Sequence, residues 1–377
     1  MSAFRIVVLG GAGLFGSRIV HELARDAGFD LIVAGRRLDA AQRMVDLAGA
    51  QAHAQATLHA ASLDIDAADF AARLAALRPD CVIHTAGPFQ QRDYAVARAA
   101  LAAGAHCIDL ADGRAFVTGI DALDADARAA GRWIISGASS VPGLSAAVVA
   151  AHLPRFARLD GVTAAISPGN RTERGLATTQ AILGYVGQPF PVLIDGAWTG
   201  AHGWTSLRRL RERDVGTRWL ARCEVPDLSL LPQRYPTLRT CDFRAGLELR
   251  RMHFGLWLLA GAVRIGLVRH APAWAPPLLA LSNRWTAIGS EIGLMRMDLC
   301  GIDHDAKPLH VRWTLIAKDG DGPQVPATPP VVLARKLAGG ALPGAGARAC
   351  LDLFTLDECI AALEPWAVST RTEVLES

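Results

Sequence analysis

The chain has 377 residues, of which 51% are hydrophobic and 20% charged, with a formal net charge of +3. That length is a prior for two domains, and that hydrophobic share excludes a disordered chain. A nearly balanced charge with no long block of one sign excludes a global nucleic-acid footprint, so no nucleic-acid partner is expected.

Residues 4–9 are a short apolar run rich in β-branched side chains, as in a strand buried on both faces. Glycines follow at once. Residues 17–25 have helical spacing, with Ile19, Val20 and Leu23 on one side. The rhythm then repeats. Strands are expected at 31–34, 58–65, 81–85, 106–110 and 133–136, with helices at 38–48, 67–77, 94–103 and 120–130. Strands alternating with helices through short loops imply a parallel, doubly wound Rossmann sheet. After Val141-Pro142-Gly143 the pattern changes. A helix is expected at 145–152, then longer alternating segments at 161–167, 217–224, 247–253, 292–300 and 309–317, which suggest an antiparallel or mixed sheet. Residues 319–323 form a turn cluster, 339–346 a flexible connection, and 355–363 a last helix ended by Pro365.

The seven cysteines have no CxxC pair and an odd count, which argues for reduced buried thiols, no disulfide framework and no metal site. The N-terminus runs directly into a strand without a signal-peptide pattern, so a cytoplasmic location is expected. Residues 254–268 are apolar apart from Arg264 and too short to span a bilayer. They read as a buried or interface helix, with a peripheral membrane contact or an entrance for an apolar substrate as the alternatives. The basic run at 206–213 reads as a solvated face, with an anion patch as the alternative.

The cofactor motif is Gly10, Gly11, Ala12, Gly13, Leu14, Phe15 and Gly16. It contains GxGxxG between a buried strand and an amphipathic helix, the context that a dinucleotide loop requires. An early glycine allows the tight turn, Gly13 lets the pyrophosphate approach, and Gly16 lets the helix pack on the strand. The helix N-terminus then offers amides to the phosphates. The second strand ends in Arg36 and Arg37 where an NAD-binding chain usually has a carboxylate. Guanidinium groups attract a 2′-phosphate, so NADP(H) is the expected cofactor. Asp39 keeps NAD(H) as the runner-up. Asp64, after the third strand, is assigned to the adenine edge, with a loop cap as the alternative. Thr85, Ala86, Gly87, Pro88 and Phe89 follow the fourth strand and are expected to let the nicotinamide lie against backbone.

These residues resemble the saccharopine dehydrogenase-like family, specifically its NADP-binding domain. The resemblance runs through residues 10–16, Ala34-Gly35-Arg36, 82–90, 103–110 and 137–143, in order, and touches 320–327. It implies a Rossmann domain, a second α+β domain, a final helix returning to the first domain, a homodimer, and hydride transfer with a nicotinamide cofactor. The implied domains are 1–145, 146–345 and 346–377. The chain departs from the family where saccharopine reductases carry an Asp-Pro-Gly-Ile-Asp-His-type run. Here that run is Val141-Pro142-Gly143-Leu144-Ser145-Ala146, without its acidic and histidine positions, which argues against saccharopine as substrate.

Candidates for the chemistry are Tyr94, Asp109, Asp112 and Ser139 in the loops after the fourth to sixth strands, and Asn170 in the second domain. His106, Arg114, Ser140 and Arg171 accompany them, and Trp198 and Trp204 read as an apolar wall. The expected protein is an NADP(H)-dependent oxidoreductase acting on a C=N, C=O or activated C=C bond of a small or lipid-like molecule. The alternative is a sensor or scaffold that binds NADP(H) without turnover.

Overall fold

The computed structural model describes residues 3–375. The chain divides into two compact units, one of residues 1–144 with 324–354, the other of residues 145–323 with 355–377.

The first stretch builds β1 (Phe4–Leu9), α1 (Leu14–Leu23), β2 (Phe29–Gly35), α2 (Leu38–Gly49), β3 (Thr57–Ser62), α3 (Phe70–Ala76), β4 (Cys81–His84), α4 (Ala95–Ala102), β5 (His106–Asp109), α5 (Arg114–Thr118), α6 (Asp124–Ala129) and β6 (Trp133–Ser136). The next builds α7 (Ser145–His152), β7 (Arg158–Ser167), α8 (Leu176–Tyr185), β8 (Pro189–Ile194), β9 (Ala197–His202), β10 (Arg208–Glu212), β11 (Gly216–Arg222), α9 (Asp227–Arg234), β12 (Thr240–Ala245), α10 (Arg250–Arg264), α11 (Ala275–Asn283), β13 (Gly293–Ile302) and β14 (Pro308–Ala317). The chain ends with α12 (Gln324–Ala338), β15 (Gly346–Ala349), α13 (Leu356–Leu363) and β16 (Val368–Leu375).

In the first unit seven strands lie in the order β15-β6-β5-β4-β1-β2-β3. Every pairing is parallel. Ile6, Val7 and Val8 of β1 are fully buried, as a central strand covered on both faces requires. The chain runs outward from β1 to β3 and then crosses to β4 on the other side. The strand order therefore reverses between β1 and β4, which is where an open α/β sheet places its ligand crevice.

The second unit holds a nine-stranded mixed sheet whose main path is β10-β11-β12-β7-β13-β14-β16, with the β8–β9 hairpin joined to β12. Its longest pairings are antiparallel, β7 with β13 and β13 with β14, whereas β12 with β7 is parallel.

Two differences from the sequence reading matter. The element that returns to the first unit is α12 followed by β15, ahead of the final helix. Arg335 of α12 binds Asp26 at 2.9 Å and Glu22 at 3.2 Å, at the end of α1. The final helix α13, capped by a reciprocal Thr355–Glu358 box, belongs to the second unit, so the chain re-enters the first unit at 324 and leaves it after 354. The sequence hides α12 because Pro329 and Pro330 lie inside it. The strand expected at 247–253 is also displaced. The strand is Thr240–Ala245, and helix α10 begins at Arg250. Gly246 separates them where a Cβ would lie 2.1 Å from the Trp219 carbonyl oxygen.

A buried carboxyl in the second unit makes a pH prediction. Asp227 is 2% exposed, and the Ser145 hydroxyl donates to its Oδ1. Oδ2 has no partner. Burial pushes its pKa up to about 6, against the pull of the Ser145 hydroxyl and of its own amide. The folded chain thus holds this proton more tightly than the unfolded chain. The resulting stability is complete below the ordinary carboxyl range and is lost as pH rises through about 6. Asp227→Asn, which cannot ionise, is expected to be more stable than the parent at pH 7.5, by up to roughly 3 kcal/mol, with the gap closing at pH 4. Urea denaturation of both proteins at the two pH values measures it. An equal gap at both would sink this assignment.

Candidate functional site

The loop after β1 is shaped by what its glycines exclude. Gly10 has φ +77°, and a Cβ there would lie 2.7 Å from Thr85 Oγ1. At Gly16 a Cβ would lie 2.2 Å from the Gly10 carbonyl oxygen. The first turn of α1 therefore sits directly on the loop. The Gly10 carbonyl accepts the Gly13 amide at 2.8 Å, and Gly13 is the N-cap of α1. The amides of Leu14, Phe15 and Gly16 are first-turn donors with no acceptor inside the helix. Ala12 and Gly13 are exposed above them. A small-residue cradle with outward donors suits a pyrophosphate.

Thr85 fixes this loop from the next strand. Its hydroxyl reaches the carbonyls of Leu9 at 2.9 Å and Gly10 at 3.1 Å. It thus shapes the cradle through Gly10. Ala86, Gly87 and Pro88 follow as a partly buried small-residue edge. The side chain of Phe89 is buried. Its ring is 5% exposed and packs 4.9 Å from His84 and 5.5 Å from Phe116, centroid to centroid. The ring belongs to the core, which leaves only backbone at this position for a cofactor.

At the end of β2, Arg36 is exposed and no ion pair holds its guanidinium among the described residues. Arg37 differs. It lies 3.3 Å from Asp39, which Arg43 also holds at 2.8 Å. The carboxylate that kept NAD in consideration is therefore already flanked by two cations. Asp64 accepts the Asp66 amide at 3.2 Å, a turn-capping bond.

The chemistry candidates separate clearly. The Tyr94 hydroxyl donates to the Phe116 carbonyl at 2.8 Å, so its proton is committed to the backbone. Asp109, at the end of β5, accepts at Oδ1 from the amides of Ala111 and Gly137 and the hydroxyl of Ser136, each at 2.9 Å. Burial pushes it up to about 6 against those three donors. Asp112 is also raised by burial, and it accepts from Gln90 Nε2 at 3.1 Å. That bond ties the loop after β4 to the loop after β5. Ser139 is partly exposed, and its carbonyl accepts the Leu144 amide. His106 accepts the Trp133 amide at 2.9 Å and, through burial, is lowered to about 4, so it is a neutral structural ring.

Asn170 lies in the second unit and is fully engaged there. Its Nδ2 donates to the carbonyls of Trp285 at 2.7 Å and Ile288 at 2.6 Å, and its amide donates to Glu248 at 2.6 Å. It clamps the loops around Trp285 and Ile288. Arg171 pairs with Glu291 at the surface. The two tryptophans make no common wall. Trp198 is 54% exposed, whereas Trp204 is 1% exposed and donates to the His253 carbonyl.

The sequence reading did not single out His84. It ends β4 opposite Asp109 of β5, and burial lowers it to about 4. With Tyr94, Cys107, Asp109 and Phe116 it lines a cavity of about 60 Å³. The available signal was a titratable residue ending an otherwise apolar strand.

Residues 6–135 match the family model of the saccharopine dehydrogenase NADP binding domain. This stretch is a saccharopine dehydrogenase-type NADP-binding domain. Its fold matches that of saccharopine dehydrogenase (L-Glu forming) from Saccharomyces cerevisiae, with a TM-score of 0.70 at 12% identity over 99% of this chain and 100% of that one. An amine dehydrogenase from Mycobacterium smegmatis matches with a TM-score of 0.50 at 13% identity, over 94% of this chain and 95% of that one. No curated protein sequence matches the chain. Beyond the NADP-binding domain, the chain shares with these two dehydrogenases its fold. Its run from Val141 to Ala146 is wholly buried and bears no charge.

Proposed function

We propose that the protein is an NADP(H)-dependent oxidoreductase that reduces a C=N, C=O or activated C=C bond of a small or lipid-like substrate other than saccharopine. The observation that carries this reading is the glycine cradle under the free first-turn amides of α1, with Arg36 exposed and unpaired at the end of the neighbouring strand. The amides of Leu14, Phe15 and Gly16 would hold the pyrophosphate and Arg36 the 2′-phosphate. The bound nucleotide supplies hydride chemistry. Asp112, raised by burial and joined through Gln90 to both crevice loops, is the carboxyl suited to hold the accompanying proton. The apolar, uncharged run from Val141 to Ala146 removes the charged partners that an amino-acid substrate asks for.

Fluorescence titration with NADPH and NADH tests the cofactor assignment. Arg36→Ala is expected to weaken NADPH roughly 10- to 100-fold, the worth of one charge-assisted contact, and to leave NADH within about twofold. Equal losses for both nucleotides would remove the 2′-phosphate role. The engaged Tyr94 hydroxyl favours a second reading, a sensor that binds NADP(H) without turnover. Tight NADPH binding with no NADPH oxidation across carbonyl, imine and enoyl substrates would select it.

A further inference from the structure

Helices α8, α10 and α11 of the second unit share a small core of their own, built on Leu183, Ala271 and Ala275 with Leu256, Leu259 and Val263 packed around it. On α10 the inward face is His253, Leu256, Ala260 and Val263, at helical spacing. An outward face is ordinarily polar. Here it is not. Trp257 and Leu258 of α10, Ile265 and Leu267 just beyond it, Trp274 and Leu281 are all exposed, from 41% for Leu281 to 75% for Leu267. Apolar exposure concentrated in one helical subassembly marks an interaction surface.

The charge of the same segment selects the partner. From Leu249 to Ser290 the chain contains no Asp or Glu, while Arg250, Arg251, Arg264, Arg269 and Arg284 fall within it. Helix α8, packed alongside, carries no charged residue. The flanking acids are occupied. Glu248 is bonded to Ser290, Asn170 and Arg218, and Glu291 pairs with Arg171. A two-fold contact between copies of the chain would set the same arginines against one another with no carboxylate between them, so a second copy is a poor occupant. Among the described residues no helix is long and apolar enough to cross a membrane.

We propose that the surface formed by residues 250–288 docks on a membrane bearing anionic lipid headgroups, with tryptophans and aliphatic side chains entering the headgroup region and arginines facing the lipid phosphates. Co-sedimentation of the full chain with vesicles of phosphatidylcholine, alone or mixed with phosphatidylserine, tests it. Binding is expected to the mixed vesicles, at least about tenfold stronger than to neutral ones, and to fall as salt rises. Joint replacement of Arg264, Arg269 and Arg284 by Gln should weaken it on the order of a hundredfold, at roughly fivefold per arginine. Joint Trp257→Ser and Leu258→Ser replacement should weaken it as well. Unchanged NADPH titration and circular dichroism in each variant establish that the chain remains folded. Equal binding to both vesicle types would overturn the proposal. So would the absence of vesicle binding together with a dimer that Leu258→Asp dissociates, which would make the surface a protein interface.

Discussion

Gly16→Ala is expected to raise the dissociation constant for NADPH at least about 100-fold and to destabilise the chain by roughly 1–3 kcal/mol, the range for forced overpacking. The added methyl would lie 2.2 Å from the Gly10 carbonyl oxygen and 2.8 Å from Gly11 Cα. Both are backbone atoms of the tight turn, so no side chain can swing aside. Either α1 lifts from the loop or the turn opens, and each displaces the amides of Leu14, Phe15 and Gly16. Gly28→Ala is the matched control, because nothing lies within 4 Å of a Cβ there. Isothermal titration of both variants with NADPH, alongside urea denaturation, separates lost binding from lost fold. Parent-like affinity in Gly16→Ala would show that the cradle does not hold the nucleotide.

Glu248→Ala is expected to destabilise the protein by about 3–5 kcal/mol, the cost of breaking a buried ion pair from one side. Its carboxylate accepts the amides of Asn170 at 2.6 Å and Ser290 at 2.9 Å and the Ser290 hydroxyl at 2.9 Å, and it faces Arg218 at 3.1 Å. The Arg218 side chain is 6% exposed, and among the described residues its Nε already lacks a hydrogen-bond partner. Removing Glu248 therefore strands a buried guanidinium and two loop amides together. Burial acts to raise the Glu248 carboxyl, but the Ser290 and Asn170 amides, the Ser290 hydroxyl and Arg218 outweigh it and hold the pKa below its ordinary value. Its stabilisation is thus present above the ordinary carboxyl range and is lost as pH falls through the lowered value. Differential scanning of the variant at neutral pH checks the size of the effect. A loss below about 1 kcal/mol would mean that water reaches Arg218 and that the network is a surface pair. Nucleotide affinity measured in the same samples should not change, because the cradle belongs to the other unit.

Legibility in the sequence tracked whether the deciding physics was local. The alternation of apolar strands with amphipathic helices through residue 136 gave the parallel sheet, since the inner strands β1, β2 and β4 are largely buried on both faces, while the edge strand β3 is not. The glycine loop was equally legible, because close backbone approach admits little else at Gly10 and Gly16. That Arg36 lies at the end of the second strand and that residues 141–146 carry no charge were likewise readable from the chain itself.

Tertiary structure decided the rest. The helix over 324–338 was hidden by its prolines, and it forms because packing on α1 outweighs propensity. Tyr94 and Asn170 looked available as side-chain types. Only the fold shows a hydroxyl given to Phe116, the Phe89 ring wedged between His84 and Phe116, and an amide divided between two distant carbonyls. The apolar stretch at 254–268 read as a buried or interface helix, and only the fold shows how much of it faces outward, because hydrophobicity along a chain does not state which face is covered. The sequence alone determined the glycine loop and the six strands ahead of residue 137, where spacing and backbone sterics act within a few residues. The tertiary structure alone decided which polar groups remain free for chemistry, because hydrogen bonds between residues as far apart as Asn170 and Ile288 leave no local trace.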